Sequence, residues 1–249
     1  MKFFFKIHPS RPQAETLKKQ AEAFIRKHGH ESTPDPLQAD FAVSIGGDGT
    51  VVSAHKLCKK PLIGVNAGTL GYLPKIEPEN LECAFEKIFS GEFFLENRMT
   101  LSTVVDGIPM INALNDVALQ KADHGVIRFT VNVDGVNLMR YTADGLIAAT
   151  PTGSTGYSLS AGGPIVDPVS ESIVLTPLAP HTLVSRSIIL SANSFVTLEC
   201  ENDAVLSVDG DIHPIRAHAK IRISKAPEPV RFVTLSRESF VERLRKKLS

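Results

Sequence analysis

Gly46-Gly47-Asp48-Gly49-Thr50 stands between an apolar run at 41–45 and a helical pattern that begins at Thr50. Glycines in such a turn let backbone N–H groups approach a phosphate closely, and the helix start favours an anion. Gly46, Gly47, Gly49 and Thr50 therefore read as a phosphate loop; the alternative, a tight strand-to-helix turn, explains two glycines but hardly three around an aspartate. Asp48 is the informative residue. A fixed carboxylate beside phosphates costs energy unless it holds a metal or accepts a proton. Both roles suit phosphoryl transfer, where a hydroxyl loses its proton while phosphate charge is neutralised. No Gly-Lys-Ser/Thr follows, so this is not a Walker A loop, and the spacing is not GxGxxG.

Four further segments carry polar chemistry. Asn66-Ala67-Gly68-Thr69-Leu70-Gly71-Tyr72-Leu73 follows an apolar run at 62–65, and Tyr72 either covers a planar ring or packs in the core. Asn115-Asp116 interrupts an apolar stretch, which is costly if the pair is buried without partners. The two residues suit a ribose diol or an adenine amino group, or else form a capped strand end. Residues 144–164 are dense in glycine and small hydroxyl side chains, yet apolar strand material flanks them, which favours an ordered loop around a ligand. Gly153-Ser154-Thr155-Gly156 is one residue short of a GxSxG elbow, which argues against a serine hydrolase. Ser207-Val208-Asp209-Gly210-Asp211 reads as a hairpin turn. The eight histidines show no metal-ligand spacing.

The hydrophobic period separates two regimes. Over 1–99, apolar runs at 3–8, 41–45 and 62–65 alternate with helical patterns at 14–27, 50–59 and 79–89. That alternation predicts a Rossmann-like parallel α/β domain. From Thr100 the pattern turns to short strands, at 100–105, 117–120, 127–133, 146–149, 187–190, 195–199, 204–208 and 220–224. These predict an antiparallel, sandwich-like β-rich domain, with Asp134-Gly135 as a hairpin signal. A strand at 232–235 and a basic helix at 239–248 are expected to return to the first domain. The boundaries expected are 1–99 with 225–249, and 100–224.

Composition narrows the class. The 249 residues carry 27 Lys+Arg against 27 Asp+Glu, so no broad basic footprint for nucleic acid exists. At 43% hydrophobic and 22% charged residues, a disordered or fibrous chain is excluded. Three cysteines without CxxC spacing suggest neither a disulfide framework nor zinc, and point to a cytoplasmic setting. The apolar run after Met1 is too short for a signal peptide, and no stretch approaches the ~20 residues that span a bilayer.

Together GGDGT, NAGTLGYL, NDV, ADGLIAATPTGSTGYSLSAGGPIV, TPLAPHTL and SVDGD, in that order from Gly46 to Asp211, resemble the NAD kinase family. GGDGT is shared with related lipid kinases; the block at 144–164 with Asn115-Asp116 is the more specific part. The resemblance implies transfer of the terminal phosphate of ATP, or of polyphosphate, to the 2′-hydroxyl of the adenosine ribose of NAD, giving NADP. It also implies Mg²⁺ or another divalent cation bound with ATP rather than in a dedicated protein site, an NAD-binding second domain, and a homodimer or homotetramer.

Carried over by motif, Asp48 would activate the 2′-hydroxyl, with Gly49 beside it. Tyr72 would sit against the adenine end of NAD, followed by Leu73, and Asn115 and Asp116 would bind adenine and ribose. Asp144, Ala179 and His181 would hold the nicotinamide end, while Thr155, Tyr157 and Ser160 would line the NAD site. Lys56 and Asp209 are further candidates, for a donor-phosphate cation and for the reaction centre. The sequence departs from the family at Asp116, where many members carry Glu, and at Asp211, where a neutral residue is common. The alternatives are an NAD(P)-sensing module without turnover and a lipid kinase sharing GGDGT.

Overall fold

The computed structural model describes residues 1–67, 71–182, 186–236 and 239–248. Gly68, Thr69 and Leu70 of the NAGTLGYL segment, and Leu183 of TPLAPHTL, lie outside the described residues. The chain divides into two compact units, Met1–Asn97 with Val230–Ser249, and Arg98–Pro229.

The first unit runs β1 (Lys2–Ile7), α1 (Pro12–Lys27), β2 (Glu31–Ser32), β3 (Phe41–Gly46), α2 (Asp48–Leu57), β4 (Leu62–Asn66), α3 (Leu81–Ser90) and β5 (Phe94–Arg98). Its six-stranded sheet has the order β2, β1, β3, β4, the returning strand Val230–Thr234, and β5. β1 pairs parallel with β3 from Phe3↔Phe41 to Ile7↔Ile45, and β3 with β4 from Ala42↔Leu62 to Gly46↔Asn66. The carboxyl ends of three strands therefore finish level on one edge, which is where ligands bind in such sheets.

Alternation decides what β1 offers to each face. Phe3, Phe5 and Ile7 join the core with Leu17, Ile25, Phe85 and Ile88 of α1 and α3. Successive side chains of a strand point to opposite faces, so Lys6 takes the other side, and α2 packs against β1. α1 opens on Pro12, whose fixed φ and missing N–H suit the first helical turn, two residues before the expected start. α2 begins at Asp48, inside the glycine turn, and not at Thr50.

The second unit is mainly strand, with short helical turns at Gly153–Thr155 and Tyr157–Ser160. It contains β6 (Leu101–Val105), β7 (Ile108–Pro109), β8 (Asp116–Lys121), β9 (Ile127–Val133), β10 (Val136–Ala143) and β11 (Gly145–Ala149). After α4 (Tyr157–Ser160) come β12 (Ser172–Leu178), β13 (Ile188–Ser191), β14 (Phe195–Cys200), β15 (Ala204–Val208), β16 (Asp211–Ile215) and β17 (Lys220–Lys225). Two six-stranded sheets form, β10-β9-β14-β17-β6-β7 and β13-β12-β11-β8-β15-β16. They share one core, with Phe129, Val131, Leu198 and Ile221 from the first and Leu119, Leu146, Leu175 and Leu206 from the second. The chain then returns to the first unit as β18 (Val230–Thr234) and α5 (Phe240–Leu248).

The second sheet is buried on its other face too. Ala118, Ile147, Ala149 and Val174 pack there with Ala161 and Val166 of the loop after β11. That is why β11 is apolar at every position rather than alternating. β12 is a strand the sequence pattern did not suggest, because Pro177 reads as a breaker. It is tolerated because β13 pairs only with Ser172 to Leu175, so no ladder bond is asked of the proline on that side.

Candidate active site

In the first unit, Asp48 occupies the first turn of α2, complementary to the helix dipole. Its Oδ2 accepts the Tyr72 backbone N–H at 3.1 Å and its Oδ1 the Leu73 N–H at 2.9 Å. A carboxylate has about four acceptor positions, so each oxygen keeps capacity for another proton donor while the group is held in one orientation. Gly71 makes this approach possible: a Cβ there would meet Asp48 Oδ1 at 2.4 Å. Leu73 itself is buried and contributes its N–H, whereas Tyr72 is half-buried. Thr50 is buried, and Gly47 and Gly49 lie nearer the surface.

A cavity of about 520 Å³ opens beside this carboxylate, lined by Gly47, Asp48, Gly49, Thr50 and Ser53 on the α2 side. On the β1 side it is lined by Lys6, His8 and Arg11. Those three basic residues belong to no glycine motif, and the motif reading missed them. The signal was present in the sequence as basic residues at and just after the end of the first parallel strand. Lys56 sits in the last turn of α2, eight residues and about 12 Å along the axis from Asp48.

In the second unit, Asn115 and Asp116 form the entry to β8, and Asp209 holds them. Its carboxylate accepts backbone N–H bonds from Leu114 (2.7 Å), Asn115 (2.8 Å) and Asp116 (3.1 Å). Asp209 sits at φ 47 and Gly210 at φ 85, a turn with positive φ at both central positions that joins β15 to β16. From the other side, Thr150 N–H donates to Asn115 O, and Thr150 Oγ1 to Leu114 O at 2.6 Å. Gly153 closes the clamp, since a Cβ there would lie 2.0 Å from Asn115 O.

Asp116 is buried, and its pKa is pushed up to about 7, first by burial and then by the neighbouring Asp209 charge. Near neutrality it can therefore present either an acceptor or an O–H donor.

The remaining candidates lie along the same sheet. At the far end of β8, about 17 Å from Asp116 for five residues of strand, Lys121 Nζ pairs with Asp144 Oδ1 at 2.9 Å. Asp144 N–H donates to Leu178 O, and His181 N–H to Thr142 O, so Asp144 and the 179–181 turn are drawn together. Ala179 holds φ 40, and both it and His181 are exposed. Tyr157 OH accepts Gln120 Nε2 at 2.8 Å, placing the ring of α4 over β8; Ser160 is exposed and Thr155 half-buried. Among the described residues no group of three or more His, Cys, Asp or Glu converges as a metal cage.

Comparison with known proteins agrees with this geometry. Residues 5–93 match the family model of the ATP-NAD kinase N-terminal domain, and residues 114–235 that of the ATP-NAD kinase C-terminal domain. The NAD kinase of Gemmatimonas aurantiaca is 42% identical, over 90% of this chain and 82% of its own. That of Chlorobium phaeobacteroides is 35% identical, over 100% and 96%. An NAD kinase from Archaeoglobus fulgidus, solved in complex with ATP, superposes with a TM-score of 0.83 at 28% identity, covering 100% of this chain and 97% of that one. Yeast NADH kinase complexed with NADH shares the fold at a TM-score of 0.92 and 22% identity, covering 100% and 87%. With both halves matched and relatives this similar over most of their length, the chain belongs to the ATP-NAD kinase family.

Proposed function

We propose that the chain phosphorylates NAD at the 2′-hydroxyl of its adenosine ribose, with ATP as donor. The observation that carries the reading is Asp48, a carboxylate oriented by two backbone N–H groups at the rim of a cavity with basic walls. As the 2′-oxygen attacks the terminal phosphorus, its proton passes to Asp48, the new O–P bond forms, and the bond to the bridging oxygen breaks, releasing ADP. A positioned base of this kind contributes roughly 10²–10⁴-fold in rate. Asn115 and Asp116 bind the adenine and ribose; Asp144, Ala179 and His181 the nicotinamide end; Thr155, Tyr157 and Ser160 line the path between. The span of about 17 Å along β8 suits a dinucleotide better than a mononucleotide.

A divalent cation such as Mg²⁺ fits the donor set, since this ion typically takes one or two carboxylates together with substrate phosphates rather than a protein cage. It would be carried by the donor phosphates, which leaves Asp48 to take the proton. Such an ion would neutralise developing phosphate charge. The family resemblance further supports polyphosphate as a second donor and association into a homodimer or homotetramer. The three cysteines, all unpaired, suit a cytoplasmic location, and no helix among the described residues is long and apolar enough to cross a membrane.

Purified protein with Mg²⁺, ATP and NAD should form NADP, read by an NADP-specific dehydrogenase. Asp48→Asn should lower kcat by at least ~10²-fold with NAD affinity nearly unchanged. Binding of NAD(P) without turnover on any donor would instead favour a sensing module.

A further inference from the structure

We propose that Lys6, His8 and Arg11 form the subsite that grips the phosphoanhydride chain of the donor, a reading that rests on the kinase function proposed above. The three side chains line one wall of the 520 Å³ cavity, and among the described residues Asp48 is the acidic one in its lining. Lys6 lies on the face of β1 opposite the Phe3-Phe5-Ile7 core, and His8, the residue after the strand, stays beside β3 through its N–H bond to Ile45 O. Both are half-buried, as is Arg11. Placing the Lys6 and Arg11 charges together in a concave wall is unfavourable in the absence of an anion to fill it.

Two of the three are pre-aimed. The Ser10 backbone N–H donates to His8 Nδ1 at 3.2 Å, which leaves the ring proton on Nε2 as a donor. Arg11 Nη1 donates to the Ala67 carbonyl at 2.6 Å, and this fixes the plane of the guanidinium fork. On the opposite wall Thr50 and Ser53 add hydroxyls. Among the described residues no Phe, Tyr or Trp lines the cavity, and its basic and hydroxyl groups suit phosphate oxygens.

The test uses the full chain, with inorganic triphosphate and ATP as probes. Lys6→Met keeps the side-chain stem and removes the charge. It should weaken triphosphate binding in calorimetry, and raise KM for ATP, by about 10- to 100-fold, the value of a charge-assisted hydrogen bond. KM for NAD should move less than about 2-fold, and Lys6→Arg should recover most of the loss. His8→Leu should act in the same direction. Because Arg11→Ala also removes the tie to Ala67, Lys6 and His8 carry the decision. Triphosphate affinity and KM for ATP within about 2-fold of wild type in both variants would overturn the subsite, as would an equal rise in KM for NAD. Should the wild-type protein make no NADP, the kinase reading falls, while triphosphate binding by wild type against Lys6→Met still decides the subsite.

Discussion

Asp209→Asn separates a residue that acts at the reacting atoms from one that acts through the loop it holds. Asparagine is nearly isosteric and tolerates the positive φ of 47, so the turn itself is preserved. With the amide oxygen in the place of Oδ1, the bonds to the Asn115 and Asp116 N–H groups survive but lose their charge. The amide NH₂ then faces the Leu114 N–H, donor against donor. One charge-assisted bond is lost and two are weakened, about 3 kcal/mol in all. Removing the charge also relieves repulsion of Asp116, but only where Asp116 is ionised. Since its pKa lies at about 7, the full loss is expected at pH 5.5 and a smaller one at pH 8.5. Urea unfolding at the two pH values measures both, and steady-state kinetics should show KM for NAD rising with KM for ATP little changed. A stability loss below about 0.5 kcal/mol at pH 5.5, or a collapse of kcat with stability intact, would refute the positioning role.

Three other perturbations follow from close contacts and burial. Gly71→Ala pushes a Cβ onto Asp48 Oδ1 and should cut kcat by ~10- to 100-fold through misplacement of the carboxylate, with a smaller change in KM for NAD. Gly153→Ala drives a methyl into Asn115 O and should cost about 1–3 kcal/mol of stability while weakening NAD binding in calorimetry. His55 is buried in α2 with Lys59 Nζ 3.3 Å from its Nε2, and burial first, then Lys59, pushes its pKa down to about 4. Its contribution to stability is thus complete above pH 6.5 and lost as pH falls towards 4. His55→Gln should remove about 2 kcal/mol of that acid sensitivity, visible as a smaller gap between urea midpoints at pH 7 and pH 4.5.

Local signals carried most of the architecture into the sequence. The glycine turn before α2 and the apolar runs of β3 and β4 announce a parallel sheet, and the Asp-Gly pairs announce hairpins at both 134–135 and 209–210. What stayed hidden depends on tertiary context. β12 is disguised by Pro177, and β10, an edge strand with exposed residues at 136–138, lacks the apolar density of a core strand. At the site, Asp48 is legible because glycines surround it. Lys6, His8 and Arg11 are not, because only the parallel pairing of β1 with β3 brings the end of the first strand beside the glycine turn. Nor does any pattern reveal that Asp209 grips residues 114–116, a contact across more than ninety positions of chain.

The placement of β18 has a consequence for how the molecule is made. The second unit is one continuous segment, so it can complete its sandwich as soon as it leaves the ribosome. The first unit cannot. Its sheet has a gap between β4 and β5 that is filled only by Val230–Thr234, so the segment synthesised first is finished last. During that interval β4 presents an open edge with apolar Leu62, Ile63 and Val65, the kind of template on which strands of other chains can pair. Growing chains should therefore be most prone to aggregation from the emergence of β4 until residue 230 has emerged, while the second unit is being made.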